Sequence, residues 1–166
     1  MTLTKSSVWM AAAVFALVTT GCGPRSAKEF SGNYAVTGKS TSKRTYKSPD
    51  TGADMTEESS GDISTTVTFE APDATTITFD LDGDGSFPAF SFKQDPTSDS
   101  FFKIEPLTLA STFGVTMKYD SGSLSFSEGK VYGNFSSTTT ASVTDAEGNT
   151  QTETTIGTSS FEGPKK

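Results

Sequence analysis

No histidine occurs among the 166 residues. The usual general base near neutral pH is therefore missing, together with the commonest zinc ligand. A serine triad built on histidine is excluded, and no G-x-S-x-G stretch is present. A single cysteine, Cys22, rules out any intrachain disulfide. Basic side chains are outnumbered, 13 Lys and Arg against 20 Asp and Glu, for a net charge of -7. That balance argues against a nucleic-acid partner, because neutralising phosphates takes clustered Lys and Arg. The acidity favours solubility instead. Glycine, lysine and serine at 38–40 echo the end of a P-loop, but Asn33 stands where the earlier spaced glycine would be needed. From Phe30 onward no convincing helical periodicity occurs.

What is present is strand chemistry. The length fits one domain, 33% of the residues are hydrophobic, and the 13 phenylalanines are the main large apolar side chains. A chain of this size buries about 70% of its unfolded surface, enough for a core without disulfides. Ile63, Thr65, Val67 and Phe69 alternate with polar residues, as do Ile77, Phe79 and Leu81. Phe113, Val115, Met117 and Tyr119 repeat the pattern, and Leu124 with Phe126 continues it. A period of two marks half-buried strands, and the abundant threonine suits a pleated surface. Turn-forming clusters at 48–52, 71–73, 82–86, 120–123, 127–130 and 145–149 separate these runs. Their short spacing predicts sequential hairpins, hence an antiparallel meander. Residues 94–100 read as a longer loop, and 105–112 as either a strand or a short helical turn.

Residues 37–61 and 136–160 are rich in Ser and Thr with a turn near the middle of each. They read as long polar hairpins, either mobile or ordered. First and last strands are neighbours in a barrel, so two such hairpins could pair. The fold class expected is all-β, an antiparallel meander closing into a small barrel, with a two-sheet β-sandwich as the alternative.

The N-terminus carries an address. Lys5 charges its front, and the apolar run at 8–18 is too short to cross a bilayer as a helix. Small residues follow, ending in Gly21 and Cys22. The segment resembles a bacterial lipoprotein signal, although Thr19 stands where Leu or Val is usual. The resemblance implies a signal peptide over 1–21, cleavage before Cys22, a diacylglycerol on its sulfur and an acyl chain on its amine. Gly23 rather than Asp after the cysteine implies the outer membrane. Residues 22–29 then read as a polar tether and 30–163 as a single β domain. Gly32-Asn33-Tyr34 resembles the Gly-x-Trp on the first strand of lipocalin-like barrels, with Tyr in place of Trp. That likeness implies a meander barrel with a ligand cavity.

Asp80, Asp82, Asp84 and Gly85 match positions one, three, five and six of an EF-hand loop. Position twelve is Ser91, which lacks the bidentate carboxylate, and Pro88 intrudes, so an EF-hand is rejected. A looser calcium site on the three aspartates and a plain Asp-Gly hairpin turn both stay open. No other cofactor is expected. Glu57 and Glu58 are adjacent in a strand and point to opposite faces, which disqualifies them as a catalytic pair. Lys39, Lys43, Arg44 and Lys47 form a basic run that suits anionic headgroups, envelope polyanions or plain solvent. Phe87, Phe90, Phe92, Phe101 and Phe102 either fill the core or line a pocket. The function expected is that of a non-enzymatic, lipid-anchored envelope protein that binds a partner or serves as a surface structure. The alternatives are a lipocalin-like carrier of an apolar small molecule, or a displayed inhibitor or adhesin. A filled or a hollow interior separates carrier from non-carrier.

Overall fold

Alternation makes strands, and tight turns make sequence neighbours into spatial neighbours. The computed structural model describes residues 25–48, 50–79, 89–110, 114–144, 148 and 150–166. The strands are β1 (Gly32–Lys47), β2 (Asp54–Glu70), β3 (Thr76–Phe79), β4 (Phe90–Gln94), β5 (Phe101–Ile104), β6 (Leu107–Ala110), β7 (Val115–Ser127), β8 (Lys130–Thr144) and β9 (Thr150–Pro164). They form one nine-stranded antiparallel sheet whose strands are hydrogen-bonded in a ring. The expected meander barrel is therefore present, and the two-sheet alternative is not. Closure comes from β1 against β9, residues 37–45 with 154–162, and from β5 against β7.

The ring is not evenly disposed round an axis. β3, β4 and β5 are four or five residues long, whereas β1, β2, β7, β8 and β9 run from 13 to 17. One side is thus low and the other tall. The tall side is made by the two polar hairpins, which pair through β1 and β9 as a barrel allows. They rise beyond Val36 by roughly 35 Å at about 3.3 Å per residue.

Two local features differ from expectation. Residues 120–123, expected as a turn, lie inside β7. Tyr119 opposes Ser137 and Ser121 opposes Ser136, so Asp120 is the extra residue of a β-bulge. Its carboxylate accepts from Thr138 Oγ1 at 2.6 Å and pairs with Lys118 Nζ at 2.9 Å. These partners hold its pKa below the usual carboxylate range. The bulge switches parity, so odd-numbered Tyr119 and even-numbered Leu124 both face inward. Beside it, β5 and β6 keep one register against β7, Phe101 opposite Ser125 and Leu107 opposite Tyr119. They are a single strand broken at Pro106, which has no N–H to give a ladder. Glu105 N–H turns away to Ser91 O at 2.8 Å. The 105–112 region is therefore strand over Leu107–Ala110, not helix.

The second difference is the tether. From Arg25 on, the segment expected to be free over 22–29 is docked on the barrel. A 3₁₀ turn, Ala27–Glu29, is closed by a capping box in which Glu29 Oε1 accepts from Ser26 N–H at 3.3 Å. Ala27 N–H donates to Ala74 O at 2.8 Å, and Gln94 Nε2 donates to Arg25 O at 2.9 Å. Ala27 and Phe30 are carried inward to plug the low end, where both are buried. The Phe30 ring stacks on Phe126 at 4.7 Å, and Phe126 meets Phe69 and Phe102 edge-on. Tyr34 packs on Phe69 and donates its hydroxyl to Phe30 O at 2.9 Å. Around this end the loops are knit by aspartates. Asp73 accepts from Thr75 N–H and Thr76 Oγ1, which lowers its pKa to about 2. Asp95 accepts from Thr97 and pairs with Lys103 at 2.6 Å. The 127–130 turn is a two-residue hairpin with positive φ at Glu128 (51°) and Gly129 (73°), the type I′ geometry.

The seam between β1 and β9 leaves no room for side chains at two inward positions. A Cβ on Gly163 would collide with Ala35 O, and one on Gly38 with Ser160 O. Gly163→Ala is expected to destabilise the fold by about 3 kcal/mol through overpacking of backbone. Gly61→Ala, whose Cβ would meet just Ser40 Oγ at 3.4 Å, is the control and should stay within about 1 kcal/mol. Denaturant unfolding measures both.

Candidate functional site: an apolar cavity above the core

Inward positions change character along the tall strands. On β1 they run Tyr34, Val36, Gly38, Ser40; on β9, from the low end, Gly163, Phe161, Ser159, Gly157. Large side chains give way to small ones at the level where Gly38 opposes Phe161 and Ser40 opposes Ser159. Volume is lost there, and a cavity of about 330 Å³ opens above the packed core. Val36, Val67, Phe79, Phe90, Phe135 and Phe161 form its floor and walls, with Ile63, Ser40 and Ser159 toward the tall side. Phe135 and Phe161 stack at 5.6 Å, and Phe79 and Phe90 at 5.8 Å. The Phe161 ring lies over Gly133, where any Cβ would strike it. An apolar cavity of about 150 Å³ already stays dry and takes benzene, so this one has room for a larger guest.

One wall carries a polar group. Tyr119, on β7, meets Phe90 edge-on at 4.4 Å and lines the cavity. Its hydroxyl makes no hydrogen bond among the described residues, and burial raises its pKa. Tyr34 at the low end is raised by burial too, but its hydroxyl is bonded to Phe30 O. The cavity thus offers a hydrophobic enclosure and one hydrogen-bonding side chain free to turn to a guest.

Above the cavity, on the same inner face, Arg44 ties three strands together. It reaches Glu153 at 2.7 Å and Glu57 at 3.5 Å, and lies over the Tyr46 ring at 4.6 Å. Tyr46 donates its hydroxyl to Glu57 Oε1 at 2.7 Å. The basic run is therefore not one patch. Strand alternation sends Arg44 inward and Lys39, Lys43 and Lys47 outward. Lys43 faces Glu58 at 3.4 Å and Lys47 faces Asp54 at 2.9 Å, so most of the charge is answered by β2. Glu57 and Glu58 point to opposite faces, as expected of strand neighbours.

The candidate phenylalanines divide. Phe90 walls the cavity, while Phe92 and Phe102 are wholly buried in the core. Phe101 lies on the outside of β5 with Lys103 Nζ 5.8 Å from its ring. Phe87, the three aspartates Asp80, Asp82 and Asp84, and Cys22 fall outside the described residues. Among the described residues, no group of three or more Cys, Asp or Glu is set to hold a metal ion. Sequence reading missed the small inward residues Ser40, Thr65 and Ser159. Their signal is weak, because their meeting depends on the register of strands far apart in the chain.

The two tyrosines give a paired test. Tyr34→Phe should cost about 1 kcal/mol, the worth of a made hydrogen bond, and Tyr119→Phe less than about 0.5 kcal/mol. Thermal or denaturant unfolding of the two variants distinguishes a hydroxyl used by the fold from one that is not.

Sequence comparison matches this chain to no protein-family model and to no curated protein.

Proposed function

We propose that this chain is a non-enzymatic envelope protein, anchored through lipid on Cys22 to the outer membrane, that binds an apolar small molecule inside its barrel. The observation that carries the binding half is the 330 Å³ cavity, enclosed by phenylalanine and aliphatic side chains with a single tyrosine hydroxyl in its wall. Its size falls within the range of small-molecule sites, about 300–1,000 Å³, and so does its make-up of apolar walls with few polar groups. Burial of a guest would add dispersion contacts that the lining now lacks. The plugged low end and the aromatic core beneath give the pocket a rigid floor. Of the expected functions, the carrier reading takes most support from this arrangement. The anchoring half rests on the signal-like residues ending in Gly21 and Cys22.

Ser159→Trp would place an indole in the cavity from its tall side. It should weaken binding of an environment-sensitive naphthalene probe at least tenfold, about 1.4 kcal/mol, with the unfolding midpoint nearly unchanged. Equal probe binding by both proteins would refute the cavity as the site. For the anchor, metabolic labelling with a radioactive fatty acid should mark the wild-type protein and not Cys22→Ser. Label retained by that variant would overturn the lipidation reading.

A further inference from the structure

Apolar surface does not stop at the cavity. Tyr119 lines it, and strand alternation puts Met117 and Val115 on the same inward face of β7. Pairing brings Leu107 beside Tyr119 and Leu109 beside Met117 from β6, and Ala141 beside Val115 from β8. Val143 continues the row on β8, 46% exposed. The strip is three strands wide, carries aliphatic side chains, and has no charged group along it on β6, β7 or β8. From Tyr119 to Val115 it runs about 13 Å at 3.3 Å per residue. At this height no other strand faces it across the ring among the described residues, since β3 ends at Phe79 and β4 starts at Phe90.

Resting on the cavity reading, we infer that the guest is a long single-chain amphiphile, its chain end in the cavity and the rest of the chain along the β6–β7–β8 strip. Three features select this guest over a compact aromatic one. The strip is continuous with the cavity through Tyr119. Its side chains are aliphatic, with the adaptable thioether of Met117 at mid-length. Its narrow, elongated shape matches a chain rather than a ring system. The Tyr119 hydroxyl lies where cavity passes into strip, beside the chain rather than at its head.

The test is a homologous series of straight-chain carboxylic acids titrated calorimetrically into the full chain, below their micelle concentrations. Affinity should rise about fourfold per methylene while the cavity fills, from 0.8 kcal/mol per buried CH₂. Beyond that it should go on rising about twofold per methylene, because one side of the strip stays wet. Met117→Gln keeps the shape and adds an amide; it should weaken the longest acids about fivefold and leave the shortest unchanged. Should that variant fail to fold, exposed Val143→Gln should show the same selective loss. A plateau in affinity once the cavity is full would overturn the inference, as would equal weakening of short and long acids. If the naphthalene probe binds and responds to Ser159→Trp while no acid binds, the strip inference fails and the cavity reading stands. If neither probe nor acid binds, both fail.

Discussion

The backbone ladder between β1 and β9 is the constraint on which the remaining features depend. Without it the sheet would have two long open edges, each a template for pairing with another chain. With it, the strands from the two ends of the domain are held in one register, residue 37 against 162 through 45 against 154. That register sets what meets inside: Gly38 against Phe161, Ser40 against Ser159. The approach is so close at Gly38 and Gly163 that backbone occupies the place of side chains. Closure, the pairing of the polar hairpins and the position of the cavity are consequences of the same contact.

The interior is divided accordingly. At the low end, bulky rings interlock around Phe126, and the 3₁₀ turn seals them from below. Burying each such side chain contributes about 1.5–3 kcal/mol, so this end supplies most of the hydrophobic stabilisation. At the tall end the inward residues are small or hydroxylated, and there the wall atoms face empty space. A protein whose sole requirement was stability would fill that space. A floor that is packed and a chamber that is not is the arrangement a binding barrel needs, because the floor keeps the chamber from collapsing.

Much of this was legible from residues 30–166. Period-two patterning located β2, β3 and β7, and Glu-Gly at 128–129 marked a hairpin through its need for positive φ. Other readings failed for physical reasons. Asp120–Gly122 has turn composition, yet Thr138 and Lys118 hold the Asp120 carboxylate within a continuous strand. Arg25–Glu29 has linker composition, yet Ala27 and Phe30 find the open end of a barrel to fill. Lys39 to Lys47 read as one basic cluster, until alternation and the acidic residues of β2 separated and answered the charges.

By itself, the sequence determined strand chemistry, turn positions, the shortage of basic and imidazole groups, and so the class of fold and the reactions it cannot run. These are local properties, decided by side-chain period and by backbone preferences over a few residues. Only the tertiary structure decided that the polar hairpins stand side by side, that the plug is part of the barrel, and that a cavity lies where Ser40, Ser159 and Tyr119 come together. Those depend on the registers between strands more than a hundred residues apart, such as Ser40 with Ser159. Such registers are set by ring closure, and no local pattern encodes it.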